Sequence, residues 1–146
     1  KLYNISLDKA GISIIDCGGV KYKRYLEIAN KMNKKVAVLT DNDKKQSNIE
    51  YMISYNSKNE NIKIFMDSSL DNWTWEACFY NINIEKFNTL IDIDENANYL
   101  YHGVNYGKVL GKMLNNKVEI AYQMSNNDFD YMIPNYIKEC LKWIKE

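Results

Sequence analysis

The feature that most constrains this fold is an alternation of short apolar runs with helical stripes through the first half of the chain. Lys35-Val-Ala-Val-Leu-Thr40 and Asn61-Ile-Lys-Ile-Phe-Met66 read as strands, and Gly11-Ile-Ser-Ile-Ile-Asp-Cys17, closed by Gly18-Gly19, reads as a third, buried one. Between the first two of these runs in chain order, Tyr22, Tyr25, Leu26, Ala29 and Met32 recur at threes and fours, which predicts a helix ending near Asn33. A weaker stripe, Ile49, Tyr51, Met52 and Tyr55, predicts a second helix over 44–56. The order β-α-β-α-β implies parallel strands joined by right-handed crossovers. The expected class is α/β, a mainly parallel sheet flanked by helices.

The second half is less regular. Periodicity does not assign residues 67–80, which contain Trp73-Thr-Trp75-Glu76. The remainder reads as helices: one near 84–91, one from Gly107 to Ala121 or beyond, and a last one with Pro134 at its first position and Ile133, Ile137, Cys140, Leu141 and Ile144 on its buried stripe. A length of 146 residues suits one domain over 1–146.

Composition narrows the function classes. No apolar run approaches a bilayer span, and Lys1-Leu-Tyr-Asn-Ile-Ser lacks a signal-peptide core, so no membrane contact and a cytoplasmic location are expected. Cys17, Cys78 and Cys140 are few, odd in number and widely spaced, which suggests small buried hydrophobes rather than disulfides or a zinc knuckle. Basic and acidic residues number 19 each, so the net charge is zero. Any grip on nucleic acid must then be local, or come from another part of a larger protein.

The chemically suggestive element is Asp41-Asn42-Asp43, where the second predicted strand must turn. Ligands of parallel sheets bind beyond the carboxyl ends of strands, and residues two apart in extended backbone project to one side. Both carboxylates could therefore meet one hard cation. The plain alternative is that Asp43 caps the next helix, with Gln46 completing a capping box, while Asp41 makes a turn. Spacing alone favours the cap.

A wider pattern favours the metal. Val-Ala-Val-Leu-Thr-Asp41-Asn-Asp43, preceded by Gly-Ile-Ser-Ile-Ile-Asp-Cys-Gly-Gly19 and a helix with Tyr22, Tyr25 and Leu26, resembles the Toprim (topoisomerase-primase) domain of the OLD (overcoming lysogenization defect) family of ATP-dependent endonucleases. Ile62-Lys-Ile-Phe followed by Thr74-Trp75-Glu76 resembles that family's strand and T-L-E segment, with tryptophan in place of leucine. Asn116-Lys117-Val-Glu-Ile-Ala121 is similar to its late K-x-x-x-A helix start, and Ile133-Pro134-Asn-Tyr136-Ile137 to its closing helix. The likeness rests on the ordered set, since no one motif is specific.

The resemblance implies a Toprim fold with extra C-terminal helices and a divalent-metal-dependent DNA endonuclease using one or two Mg2+ or Mn2+ ions. It implies Asp41 and Asp43 as metal ligands, Glu76 as a further acidic group beside the metal, and Lys117 as a cation facing the scissile phosphate. The expected partners are DNA, the ATPase domain of the same parent chain and a second copy in a homo-oligomer. Toprim domains also carry a glutamate in an initial Glu-Gly strand, and Lys1 to Ala10 reads as the connection that follows it. That strand and the ATPase domain are therefore expected outside these residues, and the site inside them to be incomplete.

Two other functions compete. In a haloacid-dehalogenase-like phosphohydrolase Asp41 would be the nucleophile and Asp43 the general acid, although Lys44-Lys45 follow where a small residue and then Thr or Val are usual. A non-catalytic Toprim module for dimerisation or docking is the other. His102 is the single histidine, which leaves catalytic triads and His-rich zinc sites unsupported. Gly103, Gly107 and Gly111 form no phosphate loop and read as turn or close-packing residues. Most aromatics read as core, with Trp73 and Trp75 as possible base-stacking exceptions.

Overall fold

The computed structural model describes residues 6–18 and 22–146. Its centre is a parallel pair, β1 (Val36–Leu39) and β2 (Ile62–Phe65), in the register Val36 to Ile62 and Leu39 to Phe65. Helix α1 (Tyr22–Lys31) precedes β1, and α2 (Gln46–Asn56) links the strands as the expected crossover. Because side chains alternate along a strand, Ile62 and Ile64 face one way, and with Met66 they are packed against Tyr22 and Leu26 of α1 and Ile49 of α2. The other face holds Phe65, whose ring lies 5.9 Å from that of Trp143 on the C-terminal helix. Helices thus cover both faces, the α/β arrangement the alternation predicts.

The first predicted strand does not form. Residues 12–18 carry no regular structure, and Ile14 and Ile15 are 80% and 68% exposed. A β-branched run becomes a strand only by pairing, and among the described residues this run has no ladder partner. Gly18 does turn, at φ 58°, donating its N–H to the Asp16 carboxylate at 2.9 Å. Gly19 lies outside the described residues. On α1 the buried positions narrow to Tyr22 and Leu26, while Tyr25 and Met32 are exposed.

After β2 come α3 (Trp75–Ile82), α4 (Ile84–Leu90), α5 (Lys108–Asn115), α6 (Lys117–Ser125) and α7 (Asn135–Lys145). Thr74 starts α3 by accepting the Ala77 N–H at 3.2 Å. Phe79, Phe87, Ile91, Met113 and Ile120 build a second core joining α3 to α6. Pro134 sits just before α7 rather than at its first position, and Tyr136 and Cys140 are that helix's most buried residues. Cys78 is likewise buried, and Cys17 partly so.

Two further expectations change. The helix predicted through Ala121 divides at Asn116, because the Asn115 and Asn116 amides donate back to the Gly111 and Lys112 carbonyls at 2.9 and 3.0 Å and so compete with helix propagation. The segment before α5 holds a hairpin the sequence reading missed, β3 (Leu100–Tyr101) and β4 (Val104–Asn105). His102 and Gly103 turn it at φ 48° and 78°, the left-handed pair that a tight two-residue hairpin needs. Gly111 is a close-packing glycine, since a Cβ there would lie 2.1 Å from the Tyr99 carbonyl oxygen.

Candidate metal centre

Asp41 and Asp43 stand where β1 ends, and the local structure is not a helix cap. Helix α2 begins at Gln46 with Lys45 before it and has no side-chain capping bond, so the capping-box alternative fails. The turn is instead held by the residue between the aspartates. Asn42 is 1% exposed, and its side-chain amide donates to the carbonyls of Asp67, Ser69 and Asn72 at 2.9, 2.8 and 3.3 Å. Its carbonyl oxygen Oδ1 accepts the Lys44 N–H at 2.9 Å, and its backbone oxygen accepts the Asn48 side-chain amide at 3.0 Å. Asn42 therefore ties the end of β1 to the loop leaving β2. Sequence reasoning passed over it because a polar residue in a turn reads as exposed.

The backbone here is strained. Asp43 and Lys44 have consecutive positive φ angles of 54° and 58°, conformations that cost a non-glycine residue on the order of 1 kcal/mol or more. The Asn42 bonds and an Asp43 N–H to Trp73 carbonyl bond of 3.1 Å hold them there. The strain aims the two carboxylates into a cleft of about 290 Å³ between the starts of α1 and α2, shared with Tyr22, Lys23, Ser47 and Tyr51. A larger surface depression, lined by residues 88–93, Glu95, Lys108 and Val109, shares no residue with this site.

Glu76 and Lys117 arrive from elsewhere. Glu76 is in the first turn of α3 and Lys117 opens α6, placed there by the break at Asn116. Lys117 Nζ lies 3.0 Å from Glu76 Oε1, and Glu76 Oε2 is buried with no hydrogen-bond partner. The Glu76 side chain is only 13% exposed, so it is not the solvated surface carboxylate of the plain alternative.

Charge couples these groups to Asp41. Burial first, then repulsion from Glu76 and Asp43, pushes the Asp41 carboxyl up to about 6, against the pull of Lys117 and a Trp75 N–H that donates to it. Burial also pushes the Cys78 thiol up to about 12, with Asp67 and Asp41 adding to it, and raises the Tyr136 phenol beside it. Asp41 and Asp43, lining one cleft, are hard oxygen donors of the kind a divalent cation takes. Among the described residues no three His, Cys, Asp or Glu side chains are arranged as a ready metal cage, and Glu76 is paired with Lys117.

His102 is exposed at the hairpin turn and takes no part in this cluster. No helix among the described residues is long and apolar enough to cross a membrane. No curated protein and no solved structure matches the chain. Residues 1–43 match the family described as overcoming lysogenization defect protein-like, TOPRIM domain, so the match ends on Asp43 and leaves Glu76 and Lys117 outside it. Toprim domains generally bind Mg2+, and the family points to a nuclease-type function and to DNA. Residues 1–43 are therefore similar to the TOPRIM domain of overcoming-lysogenization-defect-like proteins, which supports the resemblance carried by Asp41-Asn42-Asp43 and the residues before it.

Proposed function

We propose that this chain contributes metal ligands to a DNA phosphodiesterase centre, with Asp41 and Asp43 holding a divalent cation, Mg2+ or Mn2+. One observation carries this reading. Asp41 and Asp43 line one cleft at the carboxyl end of β1, and the charges of Glu76, Asp43 and Lys117 act on the Asp41 carboxyl. A bound cation would polarise the phosphate and favour an attacking water, the chemistry such ions supply to phosphodiester hydrolysis.

The protein groups have distinct tasks. Asp41 and Asp43 supply oxygen donors on a turn locked by Asn42, so the pair is preorganised before any ion arrives. Glu76 adds negative charge beside them and keeps one oxygen free of the protein. Lys117, 46% exposed, keeps its ammonium at the rim, where it can face the phosphate as charge develops in the transition state. We further propose that an ATPase domain of the parent chain couples to this centre.

The dehalogenase-like alternative is disfavoured by the residues after the pair, since Lys44-Lys45 stand where a small residue and then Thr or Val are usual. The test is Mn2+ titration of the 146-residue chain, followed by paramagnetic broadening, together with cleavage of duplex and single-stranded DNA by the parent protein. Selective broadening at Asp41 and Asp43, and activity lost in Asp41→Ala with the fold retained, are expected. Uniform broadening, or cleavage untouched by Asp41→Ala, would refute the reading.

A further inference from the structure

Next to Asp43 the chain builds a surface the metal chemistry does not use. Lys44 is exposed, and its ammonium stands 4.3 Å from the centroid of the Tyr106 ring and 5.0 Å from that of Trp73, donating to the Tyr106 hydroxyl at 3.1 Å. Trp73 packs tilted against Tyr106 and Tyr101, with centroids 5.3 and 6.0 Å apart. All three rings are partly exposed. Lys44 forms no ion pair among the described residues, so its charge is held by rings rather than neutralised by a carboxylate.

The parts come from three places. Trp73 lies on the loop between β2 and α3, and its carbonyl accepts from Asp43. Tyr101 is on β3, and Tyr106 follows β4, set by the tight turn at His102 and Gly103. Lys44 is fixed by its own left-handed backbone and by Asn42. A core cluster has no need of an unneutralised cation, and an ordinary surface lysine is not anchored by two rings and a strained backbone.

We propose that Lys44, Trp73 and Tyr106 form a nucleotide subsite, in which one unstacked base of a single-stranded segment lies on the aromatic platform and Lys44 takes an adjoining phosphate. Cationic and aromatic groups side by side are what single-stranded nucleic acid binds, through stacking and charge. The subsite explains how a chain of zero net charge grips a polyanion: the attraction is local, one residue from Asp43. Base pairs in an intact duplex hide their faces from such a platform, so the occupant is a single strand or a locally opened end. This inference rests on the proposed DNA reading but not on metal or cleavage.

The test uses a fluorescein-labelled oligothymidylate and an abasic strand of equal length and charge, with anisotropy read in EDTA. Wild type should bind the oligothymidylate roughly ten-fold tighter than the abasic strand. Trp73→Leu and Tyr106→Leu should erase that difference, while Trp73→Phe retains most of it. Lys44→Gln should weaken both strands and lower the salt dependence. Equal affinity of wild type for the two strands, or a preference unchanged in both leucine variants, would overturn the subsite. Failure of Mn2+ to mark Asp41 while the base preference persists would overturn the metal reading alone.

Discussion

Glu76 and Lys117 meet in an ion pair of 3.0 Å while the second oxygen of Glu76 stays buried and unbonded. Each residue lies in the first turn of its helix, and periodicity relates neither position to the other. Both charges reach Asp41: Glu76 raises its carboxyl and Lys117 lowers it.

Lys117→Ala should therefore act at two places. It leaves a mostly buried carboxylate unpaired, which should cost about 1–2 kcal/mol, less than for a fully buried pair because Lys117 is half in solvent. It also removes a charge that lowers the Asp41 carboxyl, whose titration should move above about 6. Urea unfolding and carboxyl-carbon NMR read the two effects, and Glu76→Gln added to Lys117→Ala should recover most of the stability.

The pH dependence has a definite sign. Asp41 binds its proton more tightly folded than unfolded, so its contribution to stability is present below about 3.8 and is lost as pH rises through about 6. Asp41→Asn should stabilise the metal-free chain by about 1–2 kcal/mol above that window, after allowance for partial exposure, and by little below it. Thermal melts across the window check this.

Mg2+ should act in the opposite sense. A cation that binds only the folded chain stabilises it by about 2.7 kcal/mol at a hundred times its dissociation constant. The gain should grow as pH rises through about 6, because Asp41 must lose its proton to bind. A melting shift that is independent of pH, or that survives in the Asp41→Asn, Asp43→Asn double variant, would place the ion elsewhere.

Asn42→Ala should be among the most damaging polar substitutions. It removes the donor to three loop carbonyls and the acceptor that supports the Lys44 backbone, an expected cost of about 2–3 kcal/mol. Hydrogen exchange at the Lys44 amide should quicken, and metal affinity should fall although no ligand is altered.

Gly111→Ala tests packing away from the site. Alanine normally favours a helix over glycine by about 1 kcal/mol, but here its Cβ meets the Tyr99 carbonyl, and overpacking of this kind costs about 1–3 kcal/mol. Net destabilisation in a chemical melt is the expected result.

By itself the sequence determined what depends on neighbours along the chain. The runs at 36–39 and 62–65, the helix joining them and the acidic turn follow from periodicity and spacing, which act over a few residues. The division at Asn116 was locally encoded too, but by side-chain bonds that a hydrophobic pattern does not register. Tertiary structure alone decided the rest. The run at 11–17 has strand composition, yet pairing requires a partner that composition does not supply. Asn42 became a buried tie because the loop after β2 presents carbonyls to it. Asp41-Asn-Asp43 marked where charge would collect, and only the folded arrangement of α3 and α6 set the carboxylate and the ammonium that tune it, because Coulomb forces follow distance in space rather than along the chain.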